Sequence, residues 1–135
     1  MRSLFRIVAS LAALAVVVQI GFAGYGAFNA VDKADDAGSI SKHAVDNGFD
    51  PHGALGTIVL VLLLLLLIVS LVARVQVRTS AVLFGLGIVQ LLLAWGASHA
   101  AWVGFFHGVN AVALAAIAGT LAGNEWRQAR VASPE

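Results

Sequence analysis

The sequence predicts an all-α fold: an integral membrane antiparallel four-helix bundle with both termini cytoplasmic. Three observations predict it. Hydrophobic residues make up 60% of the 135-residue chain and the mean hydropathy is +0.92, more apolar side chain than a soluble domain of that size can cover. Charged residues are 11% of the total, gathered at the ends and in two short segments, which leaves four apolar runs of roughly the 20 residues that cross about 30 Å of hydrocarbon. Arg2, Arg6, Arg74, Arg78, Arg127 and Arg130 all fall at ends that four alternating spans place on one side, while the other side receives two lysines and five aspartates. Positive charge is retained in the cytoplasm, so the acidic side faces out of a bacterial cytoplasmic (inner) membrane. A single membrane domain over residues 1–135 follows.

The elements are justified in order. A basic leader with Arg2 and Arg6 opens the first span, at about 6–28. The same basic start followed by IVASLAALAVVV is similar to a secretory signal peptide, whose apolar core is about 7–15 residues. Apolar character continues through GFAGYGAF, which favours a retained span. Residues 29–50 form an extracytoplasmic acidic loop with room for a short surface helix, holding Asp32, Asp35, Asp36, Asp46 and Asp50 against Lys33 and Lys42. It reads as a solvated loop, with weak Ca²⁺ or partner contact as the other reading. Asp50-Pro51 then reads as a helix start, the acid as cap and the proline in the first turn, where its missing N–H is harmless. His52 is thereby expected in the first turn of the second span, about 51–73, whose leucine run at 62–67 is expected to touch lipid. Arg74 and Arg78 close that span, and Thr79 and Ser80 lead into a third at about 80–100 and a fourth at about 103–123. Asn124-Glu125-Trp126-Arg127 marks the exit.

Several classes are excluded. With no cysteine there is no disulfide, no thiolate metal site and no Fe–S cluster ligated by this chain. A net charge of +1 without a basic patch argues against nucleic acid as a partner. There is no HExxH, no phosphate-binding loop and no recognisable Ser/His/Asp context, so the chain is not expected to be an enzyme by itself. No acid lies within a span, where an ion or proton carrier would need one. Trp95, Trp102, Phe105 and Phe106 fit the aromatic belt of the outer interface, and Trp126 that of the inner one.

What remains is a set of imidazoles. Counted from the basic or acidic anchors at about 1.5 Å per residue, His52 lies about 33 Å from Arg74, His99 about 31 Å from Arg78, and His107 about 27 Å from Glu125. The three fall within one helical turn of each other near the outer boundary. His43, in the polar loop, reads as a solvated surface residue. A second layer of amides lies beneath, with Gln19 about 20 Å from Arg6, Gln90 about 18 Å from Arg78 and Asn110 about 22 Å from Glu125. An amide facing lipid leaves donors and acceptors unpaired, so these point inward or bond across helices. Glycines gather in the same outer half, among them Gly53, Gly56, Gly96, Gly104 and Gly108, which marks close backbone approach to another helix or to a flat ligand.

Two neutral imidazoles on the second and fourth helices of an up-down bundle can reach a b-type haem from opposite sides, with glycines making room for the porphyrin. In the pairs His52-Gly53 and His107-Gly108 the chain resembles the four-helix core of membrane b-type cytochromes. That resemblance implies haem b with His52 and His107 as ligands, and electron transfer or a redox-accessory role. The family stacks two ligand pairs. Here histidines occupy one depth, so one haem at most is implied. His99 stands as a replacement ligand or a propionate partner, and Gly56, Gly104, Gly108 and Asn110 as the remaining cofactor contacts. Copper or zinc on His52, His107 and His99 is the alternative metal, with no cofactor the other alternative. The topology also resembles small four-span membrane proteins common in actinobacteria and related prokaryotes. Two further readings stay open: a non-catalytic accessory or structural subunit of a larger respiratory or membrane complex, or of a homo-oligomer, and a small metal-binding or transport protein.

Overall fold

A computed structural model of the chain describes residues 1–34 and 38–131. Four helices follow one another: α1 (Arg2–Asp32), α2 (Lys42–Ala73), α3 (Val77–Ala97) and α4 (Ala101–Val131). Each is long and apolar enough to cross a membrane. α1 packs against α2 and α4, and α3 against the same two, so α2 and α4 face each other along a diagonal of the bundle.

α2 begins earlier than the expected start at Asp50-Pro51. Ser41 is extended, with φ −69° and ψ 146°, and its hydroxyl accepts a hydrogen bond from the Ala44 N–H at 3.1 Å, capping the helix nine residues upstream. Pro51 therefore lies inside the helix, where the missing N–H and the clash with the preceding turn cost about 3 kcal/mol. Packing against α1 offsets that cost. A Cβ on Gly48 would stand 2.9 Å from the Gly26 carbonyl oxygen, and one on Gly26 would stand 2.9 Å from the Phe49 ring. Only glycines permit so close a crossing. The expected loop at 29–50 is thus largely the end of α1 and the start of α2, and His52 sits in the third turn of α2. Asp35 and Asp36 lie outside the described residues.

α4 also runs beyond its expected end, through Asn124, Glu125, Trp126 and Arg127. The extension is fastened to α1: the Trp126 indole N–H donates to the Ser10 hydroxyl at 2.8 Å, and the Arg6 guanidinium lies 5.6 Å over the Trp126 ring. The α2–α3 connection is a tight bend at 74–76 in which Arg74 and Gln76 are left-handed, at φ 54° and 50°. The Ser70 hydroxyl donates to the Val75 carbonyl at 2.7 Å, and the Val75 N–H returns a bond to the Ser70 carbonyl at 3.1 Å.

Apolar packing fills the half of the bundle nearest the termini. Phe5, Val8, Ala12 and Val16 recur at helical spacing on α1 and meet Leu63 and Leu66 of α2, Leu83 of α3, and Leu114, Ala118 and Leu121 of α4. The leucine run splits by this rule: Leu63 and Leu66 are buried, while Leu64 and Leu65 turn outward. Outward faces remain apolar, as at Leu11, Leu14, Val72 and Leu92, the pattern of helices solvated by lipid.

Candidate functional site

In the half remote from the termini the inward side chains become polar, and they pair by one rule. On α1 and α2, the Gln19 side chain donates through Nε2 to the His52 carbonyl at 2.7 Å, and His52 Nδ1–H donates to the Gln19 carbonyl at 2.9 Å. On α3 and α4, Gln90 Nε2 donates to the His107 carbonyl at 3.1 Å, and His107 Nδ1–H donates to the Gln90 carbonyl at 3.2 Å. Each helical hairpin therefore carries a reciprocal glutamine–histidine clamp. A carbonyl can only accept, so both rings carry a proton on Nδ1, and His107 Nε2, which faces the Gln90 amide N–H, is an acceptor.

The clamps bring two histidines of diagonal helices together. The His52 and His107 ring centroids are 6.0 Å apart, with the planes inclined at 63°. His52 Nε2 has no hydrogen-bond partner among the described residues, whereas His107 Nε2 accepts from Gln90 Nε2 at 3.1 Å. Asn110 steadies that glutamine by donating to Gln90 Oε1 at 2.6 Å and to the Leu86 carbonyl at 3.0 Å. The amides and the histidines thus form one connected set, where depth arithmetic had put them in successive layers. Side chains in helices lean toward the N-terminus, and α1 and α2 run in opposite senses, so residues some Å apart along the axis still meet.

A cavity of about 260 Å³ lies beside the two rings. His52, His107, Gln19 and Gln90 supply its polar wall, and Val16, Leu60 and Leu114 are among its apolar lining. Gln19 Oε1 is buried without a partner among the described residues. Gly53 and Thr57 of α2 and Leu91 of α3 line the cavity and are themselves exposed, so it opens between α2 and α3.

The other candidates fall elsewhere. His99 is exposed at the α3–α4 turn, its Nδ1 3.0 Å from the Trp95 carbonyl and its ring stacked on Trp95 at 4.8 Å; equal depth did not give it an inward face. Gly56 lines the cavity, and a Cβ there would stand 3.0 Å from Gln19 Nε2. Gly104 packs against the Ala97 side chain, and Gly108 faces outward with nothing near it. Asn110 touches Gln90 and does not line the cavity. His43 is exposed and bonded to Asn47 Nδ2 at 3.1 Å. Sequence reasoning left the two glutamines out of the site itself, although the spacing of Gln90 and His107 across one short turn carries a signal for their pairing.

The donor chemistry can be tested against a metal group. Two imidazoles binding one metal from opposite sides, with metal–nitrogen bonds of about 2.0–2.1 Å, have ring centres roughly 6 Å apart, which is the spacing observed. Histidine ligands also characteristically donate their other N–H to a carbonyl, as both do here. The enclosed volume lies just below the roughly 300–1,000 Å³ of sites for small organic ligands, so a porphyrin would fill it and project through the opening between α2 and α3. On donor set and ring spacing the residues fit such a group, which would require Gln90 Nε2 to leave His107 Nε2. In comparison with known proteins, no family model, no curated protein and no solved structure matches this chain.

Proposed function

We propose that this chain is a small haem-binding integral membrane protein, an electron-transfer or redox-accessory component, in which His52 and His107 would hold a single b-type haem. The observation that carries the reading is the 6.0 Å between imidazoles of diagonal helices, each with its Nδ1–H held by a backbone carbonyl. Haem brings four nitrogens of its own, so two protein donors complete it. Zinc wants four donors, and among the described residues no group of three or more His, Cys, Asp or Glu comes together; copper and zinc rank lower for that reason.

Bound haem supplies one-electron chemistry at its iron. The chain's residues supply the setting. The Gln19 and Gln90 carbonyls fix the orientation of the two rings by accepting their Nδ1–H groups. Gln90 Nε2 donates to His107 Nε2, and Asn110 holds Gln90 beside it by donating to its Oε1. Val16, Leu60 and Leu114 exclude water from the same wall. The arginine-rich end with both termini belongs in the cytoplasm, which sets the site toward the outer face of a bacterial cytoplasmic membrane.

The test is a visible spectrum of detergent-purified protein from haem-replete cells. A reduced-minus-oxidised band of low-spin haem, lost in both His52→Ala and His107→Ala, is the expected result. Colourless protein overturns the reading. The second reading, an accessory subunit of a larger membrane complex, is favoured by Gly119 and Gly123, which lie one turn apart on α4 with open space where a Cβ would stand. Co-purification of colourless protein with a larger complex would support it.

A further inference from the structure

A second cavity, of about 350 Å³, lies between α3 and α4 at the end of the bundle that carries the termini, and it shares no residue with the histidine site. Its lining changes character along its length. Ala116 and Ile117 line the end nearer the middle of the bundle, and Thr120, Asn124, Gln76 and Thr79, with Leu121 between them, the end nearer the termini. From Ala116 to Asn124 is about 12 Å along α4. The Thr120 side chain is exposed, a hydroxyl on an outward face where hydrocarbon offers it nothing.

Charge is gathered at the polar end. The Arg127 guanidinium is hydrogen-bonded to Asn124 Oδ1, at the rim. Arg78 is exposed beside Thr79 in the first turn of α3. The acid nearest this rim, Glu125, is buried and held by Gln76 Nε2 at 3.4 Å. α3 begins without a side-chain cap, so its first amides add donors to the same end. A groove that passes from aliphatic floor to hydroxyl and amide walls to guanidinium rim has the polarity profile of a phospholipid, read from acyl chain to phosphate.

We infer that this cavity holds an anionic phospholipid with a hydroxylated headgroup, from the leaflet at the termini end. Its phosphodiester rests on Arg127 and Arg78, its headgroup hydroxyls on Thr120 and Asn124, and the start of its acyl chain on Ala116 and Ile117. The inference rests on the membrane-spanning reading and is independent of haem.

The test is native mass spectrometry of the full chain from detergent micelles containing equal amounts of phosphatidylglycerol and phosphatidylcholine. Wild type is expected to keep one phosphatidylglycerol per chain after phosphatidylcholine has been stripped. Arg127→Ala removes charge from the rim, and Ala116→Trp fills the floor without touching charge; each is expected to cut retention at least tenfold, with helical circular dichroism unchanged. Arg130→Ala, an arginine not bonded to the rim, is expected to leave retention intact. Equal retention of both lipids, equal loss in Arg127→Ala and Arg130→Ala, or a lipid-independent dimer would each overturn the inference. Absorbance of the same samples reads the haem proposal separately: colourless protein that keeps phosphatidylglycerol sinks that proposal alone. Protein released from membranes by alkaline carbonate sinks the shared premise.

Discussion

The two halves of the bundle solve the same packing problem differently. Near the termini most inward positions are apolar and closed, with Phe5, Ala12, Leu63 and Leu83 fully covered and Ser70, Ser80 and Glu125 the buried polar groups among the described residues. At the other end the same four helices are joined by two glutamine–histidine clamps around a cavity. Interhelical hydrogen bonds in membranes contribute only about 0.6 kcal/mol on average, whereas a filled core position is worth several times that. The difference teaches a division of labour: the closed half holds the bundle together, and the clamped half fixes where two imidazoles stand.

Substitutions in each half should separate these roles. The largest expected effect is on colour. His52→Ala or His107→Ala is expected to abolish the haem band by absorbance, while thermal circular dichroism of the haem-free proteins shows a stability change of no more than about 1 kcal/mol, the worth of an ordinary hydrogen bond. Leu63→Ala, in the closed half, should do the reverse, costing about 2–5 kcal/mol with band intensity per folded chain unchanged. If Leu63→Ala bleaches the protein at temperatures where it stays folded, the two halves are not separable.

Gly56→Leu sharpens the boundary between them. It drives a side chain against Gln19 Nε2, already within 3.0 Å of where a Cβ would stand, so a cost of about 1–3 kcal/mol from overpacking is expected, together with reduced haem occupancy on titration. Gln90→Leu removes the donor on His107 Nε2 and leaves Asn110 with one partner fewer, a loss of about 1 kcal/mol; the His107 ring should still ligate, with a shifted reduction potential by redox titration. His99→Ala is expected to change neither band nor stability by more than about 0.5 kcal/mol. A lost band in His99→Ala would move the site to the α3–α4 turn.

Much of this was legible in the sequence, and the gaps have physical causes. The four spans follow from apolar length, which a bilayer enforces almost regardless of tertiary detail. Depth arithmetic selected His52 and His107 because rise per residue is nearly constant in a helix. It also selected His99, since depth carries no information about which face a residue occupies. Asp50-Pro51 carries the local signature of a helix start, and the crossing of Gly48 with Gly26, 22 residues before it in sequence, overrides that signature. The clamps were the least legible part, because each joins residues 33 or 17 positions apart through backbone carbonyls, and only the closer pair, Gln90 and His107 across one short turn, leaves a trace in the spacing.

The bend at 74–76 has a mechanical result. It ties α2 to α3 at the far end from the opening beside Thr57 and Leu91, and the paired Ser70–Val75 bonds stiffen its base. From Arg74 to Thr57 is an arm of about 25 Å at 1.5 Å per residue, so any spreading of the α1–α2 hairpin from the α3–α4 hairpin about this bend would be largest at the opening. Each degree by which they spread widens the opening by roughly 0.4 Å at this lever length, and five degrees adds roughly 2 Å while the side chains near the base scarcely part.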